Sequence, residues 1–195
     1  MKKIYAIRND GIKFKELDLN TMDVVNNAPD DIVMSDIIGF HRSNTSMKSW
    51  WKTPETKFTN IDSAPSGSNP DVSLWTGGAG SSLVFSPKAY RTLNELLQSS
   101  GEFLPVKIGD ETYHIFNCFI LGEADEVKSE YEYVDGVEFG LKYLVFKESA
   151  TEHLVFKSTF QGCLTLFCGD RFKNAVEGFG LQGIIFDTNL IQIFD

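Results

Sequence analysis

Ser86-Pro87-Lys88-Ala89-Tyr90-Arg91-Thr92-Leu93-Asn94-Glu95-Leu96-Leu97, followed after a short break by Gly101-Glu102-Phe103-Leu104-Pro105-Val106, is the stretch that decides the architecture. Ser86 is a good N-cap, and Pro87 suits the first helical position, where its missing N–H is not needed. Ala89, Tyr90, Leu93, Leu96 and Leu97 recur at helical spacing, with Arg91, Asn94, Glu95 and Gln98 on the opposite side, so the segment reads as an amphipathic helix laid on a core. Gly101 stands where a left-handed C-cap is expected. The helix then gives way to strands.

Downstream, residues 103–108 and 113–120 flank Gly109-Asp110, and residues 130–134 and 137–146 flank Asp135-Gly136. Both read as hairpins. The second signal is the stronger, because Asp-Gly supplies the positive φ angles of a tight two-residue turn. In Glu130-Tyr131-Glu132-Tyr133 acids alternate with aromatics, the period of a half-exposed strand. Residues 153–157 and 164–167 are shorter strand candidates. Asp170 is placed to cap a second helix with Phe172, Ala175, Val176 and Phe179 on its apolar side, Gly180 ends it, and residues 183–187 and 190–194 read as closing strands. Strands with two clear helices and no regular strand–helix alternation predict an α+β fold, mainly antiparallel.

Upstream the pattern is less regular. Ile4, Ala6, Phe14, Leu17 and Leu19 flank Asn9-Asp10-Gly11 and suggest short strands joined by a turn. Residues 30–40 show no period. Residues 41–80 are rich in Ser, Asn, Thr, Pro and Gly, a connection of the length that is functional or mobile. Trp50, Trp51 and Trp75 lie in it. They either pin the segment to the body or, for Trp50 and Trp51, serve as partner anchors. The expected organisation is one compact domain, with residues 1–70 packed as an irregular N-terminal part on a body of residues 71–195.

Composition narrows the function classes. The 195 residues are 42% hydrophobic and include 16 Phe, too many large apolar side chains for a disordered chain. A net charge of −9 disfavours nucleic acid and favours a basic partner. No apolar run suits a signal peptide or a bilayer span, and three cysteines make no paired framework, so a reducing cytoplasm and no membrane are expected.

Chemistry-bearing motifs are weak. Cys163 and Cys168 lack a second ligand pair, so no metal is expected. Cys118 sits mid-strand as a small hydrophobe. His114 and Cys118, four apart on a strand, stand about 13 Å apart, too far for a nucleophile and its base. His41 and His153 have no partner motif. Thr76-Gly77-Gly78-Ala79-Gly80-Ser81 lacks the lysine of a phosphate loop and reads as a flexible turn. No catalytic residue and no cofactor are assigned. What remains is charge. Glu123, Asp125, Glu126, Glu130, Glu132, Asp135 and Glu138 face Lys128 alone within their segment. That is a solvated face or a patch for a basic partner.

The order of motifs over residues 71–187 resembles the polymorphic-toxin immunity proteins of immunity family eleven. The matching pieces are Ser86-Pro87-Lys88-Ala89, residues 101–106, Tyr113-His114-Ile115-Phe116-Asn117, Asp125 with Ser129, Val155-Phe156-Lys157, and residues 172–186 with their Gly180-Leu181-Gln182-Gly183-Ile184-Ile185-Phe186 ending. The resemblance implies a cytoplasmic protein that neutralises a cognate toxin by stoichiometric binding, with no catalytic residue. The residues expected to meet that partner are Trp50, Trp51, Glu123, Asp125, Glu126, Glu130 and Glu132. Two other readings stay open: a small hydrolase-like enzyme with its site in residues 41–80, and a self-associating structural module. No feature signals an oligomeric state.

Overall fold

Strand Glu111–Cys118 alternates its side chains between two cores, and the rest of the fold follows from that. Phe116 and Cys118 enter one apolar cluster, Tyr113 and Ile115 the other. The sheet containing this strand is therefore covered on both faces, as the unbroken apolar run Leu83-Val84-Phe85 demands. The computed structural model describes residues 2–60, 67–78 and 81–191, with backbone alone at Ser43, Val134, Glu138 and Phe139.

Among the described residues the elements are β1 (Ile4–Asn9), β2 (Glu16–Leu17), α1 (Thr21–Asn27), α2 (Met34–Ile38), α3 (Phe40–Ser43), β3 (Glu55–Thr56), β4 (Phe58–Thr59), β5 (Val72–Leu74), β6 (Ser82–Phe85), α4 (Pro87–Leu97), β7 (Gly101–Ile108), β8 (Glu111–Cys118), β9 (Glu130–Val134), β10 (Val137–Tyr143), β11 (Val155–Phe156), β12 (Phe167–Gly169), α5 (Asp170–Gly178) and β13 (Ile184–Asp187). Short 3-10 turns cover Thr76–Gly78, Glu148–Glu152 and Thr159–Gln161. The fold is α+β. A five-stranded sheet runs β3-β7-β8-β6-β5, antiparallel except for the β3–β7 pair, and a four-stranded antiparallel sheet runs β11-β12-β1-β13. Two-stranded pairs β9–β10 and β2–β4 complete it.

The first core lies where α4, α5 and β1 meet one face of the large sheet, with Ala89, Leu93, Leu97, Phe172, Val176, Tyr5 and Ile7 buried there. Each large apolar side chain removed from water contributes about 1.5–3 kcal/mol. The second core covers the other face of the large sheet with residues of 17–75, and a third lies under Ala6, Phe156 and Phe167 on the far side of the small sheet. Residues 1–70 thus supply β1 to the small sheet, β3 to the large one and helices to the second core.

Ser86 caps α4 as expected, its hydroxyl accepting from Ala89 N at 3.1 Å. Gly101 does not cap it. The helix ends at Gln98 in right-handed conformation, and Gly101 opens β7, where a Cβ would collide with the Asn117 carbonyl. Both hairpins form across the expected turns, and Asp135 (φ 53°) with Gly136 (φ 81°) makes the tight turn predicted from Asp-Gly. Short strands flank a turn after Asn9 as expected, but β1 and β2 do not pair with each other. Asp10 O closes the turn by accepting from Lys13 N and Phe14 N, and β1 is claimed by β12 and β13.

Three helices occupy residues 21–43, where strands and turns were expected. None exceeds seven residues, too short to show a period, although Asn20 and Asp23 form a capping box that is visible in the sequence. Asp170 is the first residue of α5 rather than its cap, because its carboxylate is taken by Lys3 N and Tyr5 Oη, each at 3.0 Å. Phe179 lies past the helix end and is exposed. Of the first short candidate only Val155–Phe156 is strand, and the second begins at Phe167. The closing strand over 184–187 is present. Residues 190 and 191 are bends, and the rest of that candidate lies outside the described residues.

Candidate functional site

The glycine-rich stretch is a packing device. Gly78 lies against the face of the fully buried Trp75, and a Cβ at Gly77 would strike the Leu19 carbonyl. Trp75 donates its indole N–H to Leu19 O at 2.7 Å and stacks on Phe40 at 5.6 Å. The stretch is therefore anchored over Gly77 and Gly78 where a flexible turn was expected. Residues 79 and 80 lie outside the described residues.

Trp50 and Trp51 are both half-buried against the second core, and Trp51 donates to Pro105 O at 2.9 Å. They pin the segment. Beside them Glu102, buried within β7, accepts from Met47 N (2.8 Å), Ser46 Oγ (2.5 Å) and Asn117 Nδ2 (3.0 Å). This network fastens residues 44–51 to the large sheet.

The acidic segment folds into a turn and the β9–β10 ribbon. Tertiary structure brings cations that the local charge count leaves out. Lys147 pairs with Glu123 at 2.8 Å and Lys142 with Glu130 at 3.2 Å, while Lys128 takes Asp125 at 2.7 Å. Hydrogen bonds from these lysines hold the Glu123 and Asp125 carboxyls below their ordinary range. Glu126 and Glu132 make no ion pair among the described residues. The side chain of Glu138 lies outside them.

The ribbon pairs with no other strand among the described residues. Its inner side is anchored: Tyr131 donates to Phe160 O at 2.6 Å and packs on that ring at 4.8 Å. Its register sets Tyr143 opposite Glu130 and Val137 opposite Val134. The outer face therefore carries Glu130, Glu132, Val137 and Tyr143 together. Val137 is 69% and Tyr143 54% exposed.

Below the ribbon lies a cleft of about 610 Å³, lined among others by Arg42, Tyr131, Leu141, Phe160, Cys163 and Leu164. Of the described residues in 41–80, Arg42 alone lines it. At its wall Gly162 (φ 66°) and Cys163 (φ 59°) are successive left-handed residues, a conformation that costs a non-glycine residue about 1–2 kcal/mol. Burial raises the Cys163 thiol above its ordinary pKa despite nearby Lys157 and Arg42, the reverse of an activated nucleophile. Cys118 is pushed up to about 11, and Cys168 is raised further, both by burial. All three thiols are buried and unbridged. His114 stacks on Tyr90 at 3.7 Å, with its pKa lowered by burial.

Lys157 is fully buried and donates from Nζ to His41 O at 2.7 Å, tying α3 to the small sheet. Burial lowers the pKa of both Lys157 and His41. The unfolded chain therefore holds these protons more tightly, and stability should rise with pH through the window just below 10.5 for Lys157 and below 6.5 for His41. The raised thiols act oppositely as pH climbs past their ordinary 9.0. Comparing the wild type with Lys157→Met in urea melts from pH 7.5 to 10 cancels the thiol contribution to first order. The wild type should gain on the variant as pH rises, and a constant difference would show that Lys157 is not buried as an unfavourable cation.

Among the described residues no helix is long and apolar enough to cross a membrane, and no cluster of three or more His, Cys, Asp or Glu is placed to hold a metal. No family model matches this chain. No curated protein matches it either. Several conspicuous motif residues of positions 71–187 are fasteners: the Ser86 cap, the Asn117–Glu102 network, Lys157 on His41 O, and Ser129 on Val145 at the ribbon's base.

Proposed function

We propose that this chain is a cytoplasmic immunity protein that neutralises a cognate toxin by stoichiometric binding. The observation that carries the reading is the outer face of the β9–β10 ribbon. Val137 and Tyr143 stand exposed there beside Glu132, unpaired among the described residues, and the Glu130–Lys142 pair, on an element whose inner side is anchored to the body through Tyr131. Apolar anchors with an acidic rim are the anatomy of a protein-binding face for a basic partner. The net charge of −9 and the family-like motif order support the same partner class. Binding of this kind needs surface complementarity and no acid–base group.

Co-expression with the protein encoded by the adjacent reading frame tests the reading directly: growth should be rescued and a stable complex purified, and failure to neutralise that protein would sink the proposal. In the complex, Tyr143→Ala should weaken affinity about thirtyfold, the cost of a typical hot-spot residue of roughly 2 kcal/mol. Glu126→Gln with Glu132→Gln should slow association and flatten its salt dependence while leaving dissociation nearly unchanged. Tyr143→Ala binding as tightly as wild type would move the interface away from the ribbon, toward Trp50 and Trp51.

A further inference from the structure

The cleft under the ribbon has a chemistry that toxin binding does not use. Tyr131, Leu141, Phe160 and Leu164 give it aromatic and aliphatic walls. Arg42 brings a single cation, which makes no ion pair among the described residues. The lysines of the neighbouring segment, Lys128, Lys142 and Lys147, are taken by carboxylates, so Arg42 is the cation that this cleft holds free of an ion pair. The guanidinium stands over Gly162, where a Cβ would come to 4.0 Å from Nη2, so the turn approaches Arg42 without screening it. The volume of about 610 Å³ lies within the range of small-molecule sites.

We propose that this cleft binds a small apolar monocarboxylate, with the carboxylate on Arg42 and the hydrocarbon along Leu141 and Phe160. A planar guanidinium matches a carboxylate in two parallel hydrogen bonds, and the pair gains strength beside apolar walls. A neutral chain of the same length satisfies the walls and leaves Arg42 unpaired. A dicarboxylate places its second charge among the walls. The site therefore selects for one charge and one apolar tail, and it is independent of any toxin.

Titration calorimetry of the purified protein with sodium octanoate, and separately with 1-octanol, tests it. Octanoate should saturate one site per chain, and octanol should bind at least about tenfold more weakly. Arg42→Gln should cost octanoate about tenfold to a hundredfold, the range of a charge-assisted hydrogen bond, and leave octanol unchanged. Arg42 is exposed, and its side chain makes no hydrogen bond among the described residues. As a second variant, Leu164→Trp, at a residue 41% exposed, should fill the cleft and abolish binding of both ligands in folded protein. Equal affinity for octanoate and octanol, an unchanged Arg42→Gln, or no saturable site would each overturn the proposal.

Discussion

Trp75→Ala is expected to destabilise the fold by about 4–5 kcal/mol, the upper end of the range for deleting a buried aromatic. The side chain is fully buried, stacks on Phe40, receives Gly78 on its face and satisfies the Leu19 carbonyl. Its removal leaves a cavity whose walls are backbone and ring, which collapse poorly. Trp75→Phe keeps most of the ring contact and loses the N–H, so it should cost only about 1–2 kcal/mol. Urea unfolding measures both. A loss below about 2 kcal/mol for the alanine variant would mean that residues 17–40 are not held on the large sheet through this side chain.

Glu102→Ala should cost about 3 kcal/mol, because it strands the Met47 N–H and one N–H of the Asn117 amide, whose other bond runs to Thr45 O at 3.2 Å. Glu102→Gln should cost about 1 kcal/mol: its carbonyl oxygen keeps Met47 N and Asn117 Nδ2, and its amide turns to Ser46 Oγ. Hydrogen exchange reads the local consequence. In the alanine variant residues 44–51 should lose protection before the large sheet does, and Trp50 and Trp51 should become more accessible to quenchers. Equal cost for Ala and Gln would show that the carboxylate's charge, not its hydrogen bonds, fastens the segment.

The placement of the acids shows why a linear charge count overstates a field. Within residues 123–138 the acids meet one lysine, but Lys142 comes round on β10 and Lys147 just before the 3-10 turn of Glu148–Glu152. Glu123, Asp125 and Glu130 are thereby neutralised in pairs, and the free acids of the candidate set reduce to Glu126 and Glu132. Paired exposed charges steer an approaching partner less than isolated ones do.

What the sequence by itself determined is local. Helix α4 with its Ser86 cap, the turn at Asp135-Gly136, the alternation in β9, the stop at Gly180 (φ 61°) and the α+β class all follow from signals confined to a few neighbouring residues. Tertiary structure decided everything that depends on distant chain segments meeting. Gly101 is glycine because the Asn117 carbonyl passes over it, and Gly78 because Trp75 lies on it. β1 chose β12 and β13 over its neighbour β2 because two apolar faces had to be covered at once. Lys157 crosses to the His41 carbonyl, and the cleft joins Arg42 to residues of β9, β10 and the 159–164 turn. Propensity and capping act over one or two turns of chain, whereas burial is settled only when the sheets close on each other.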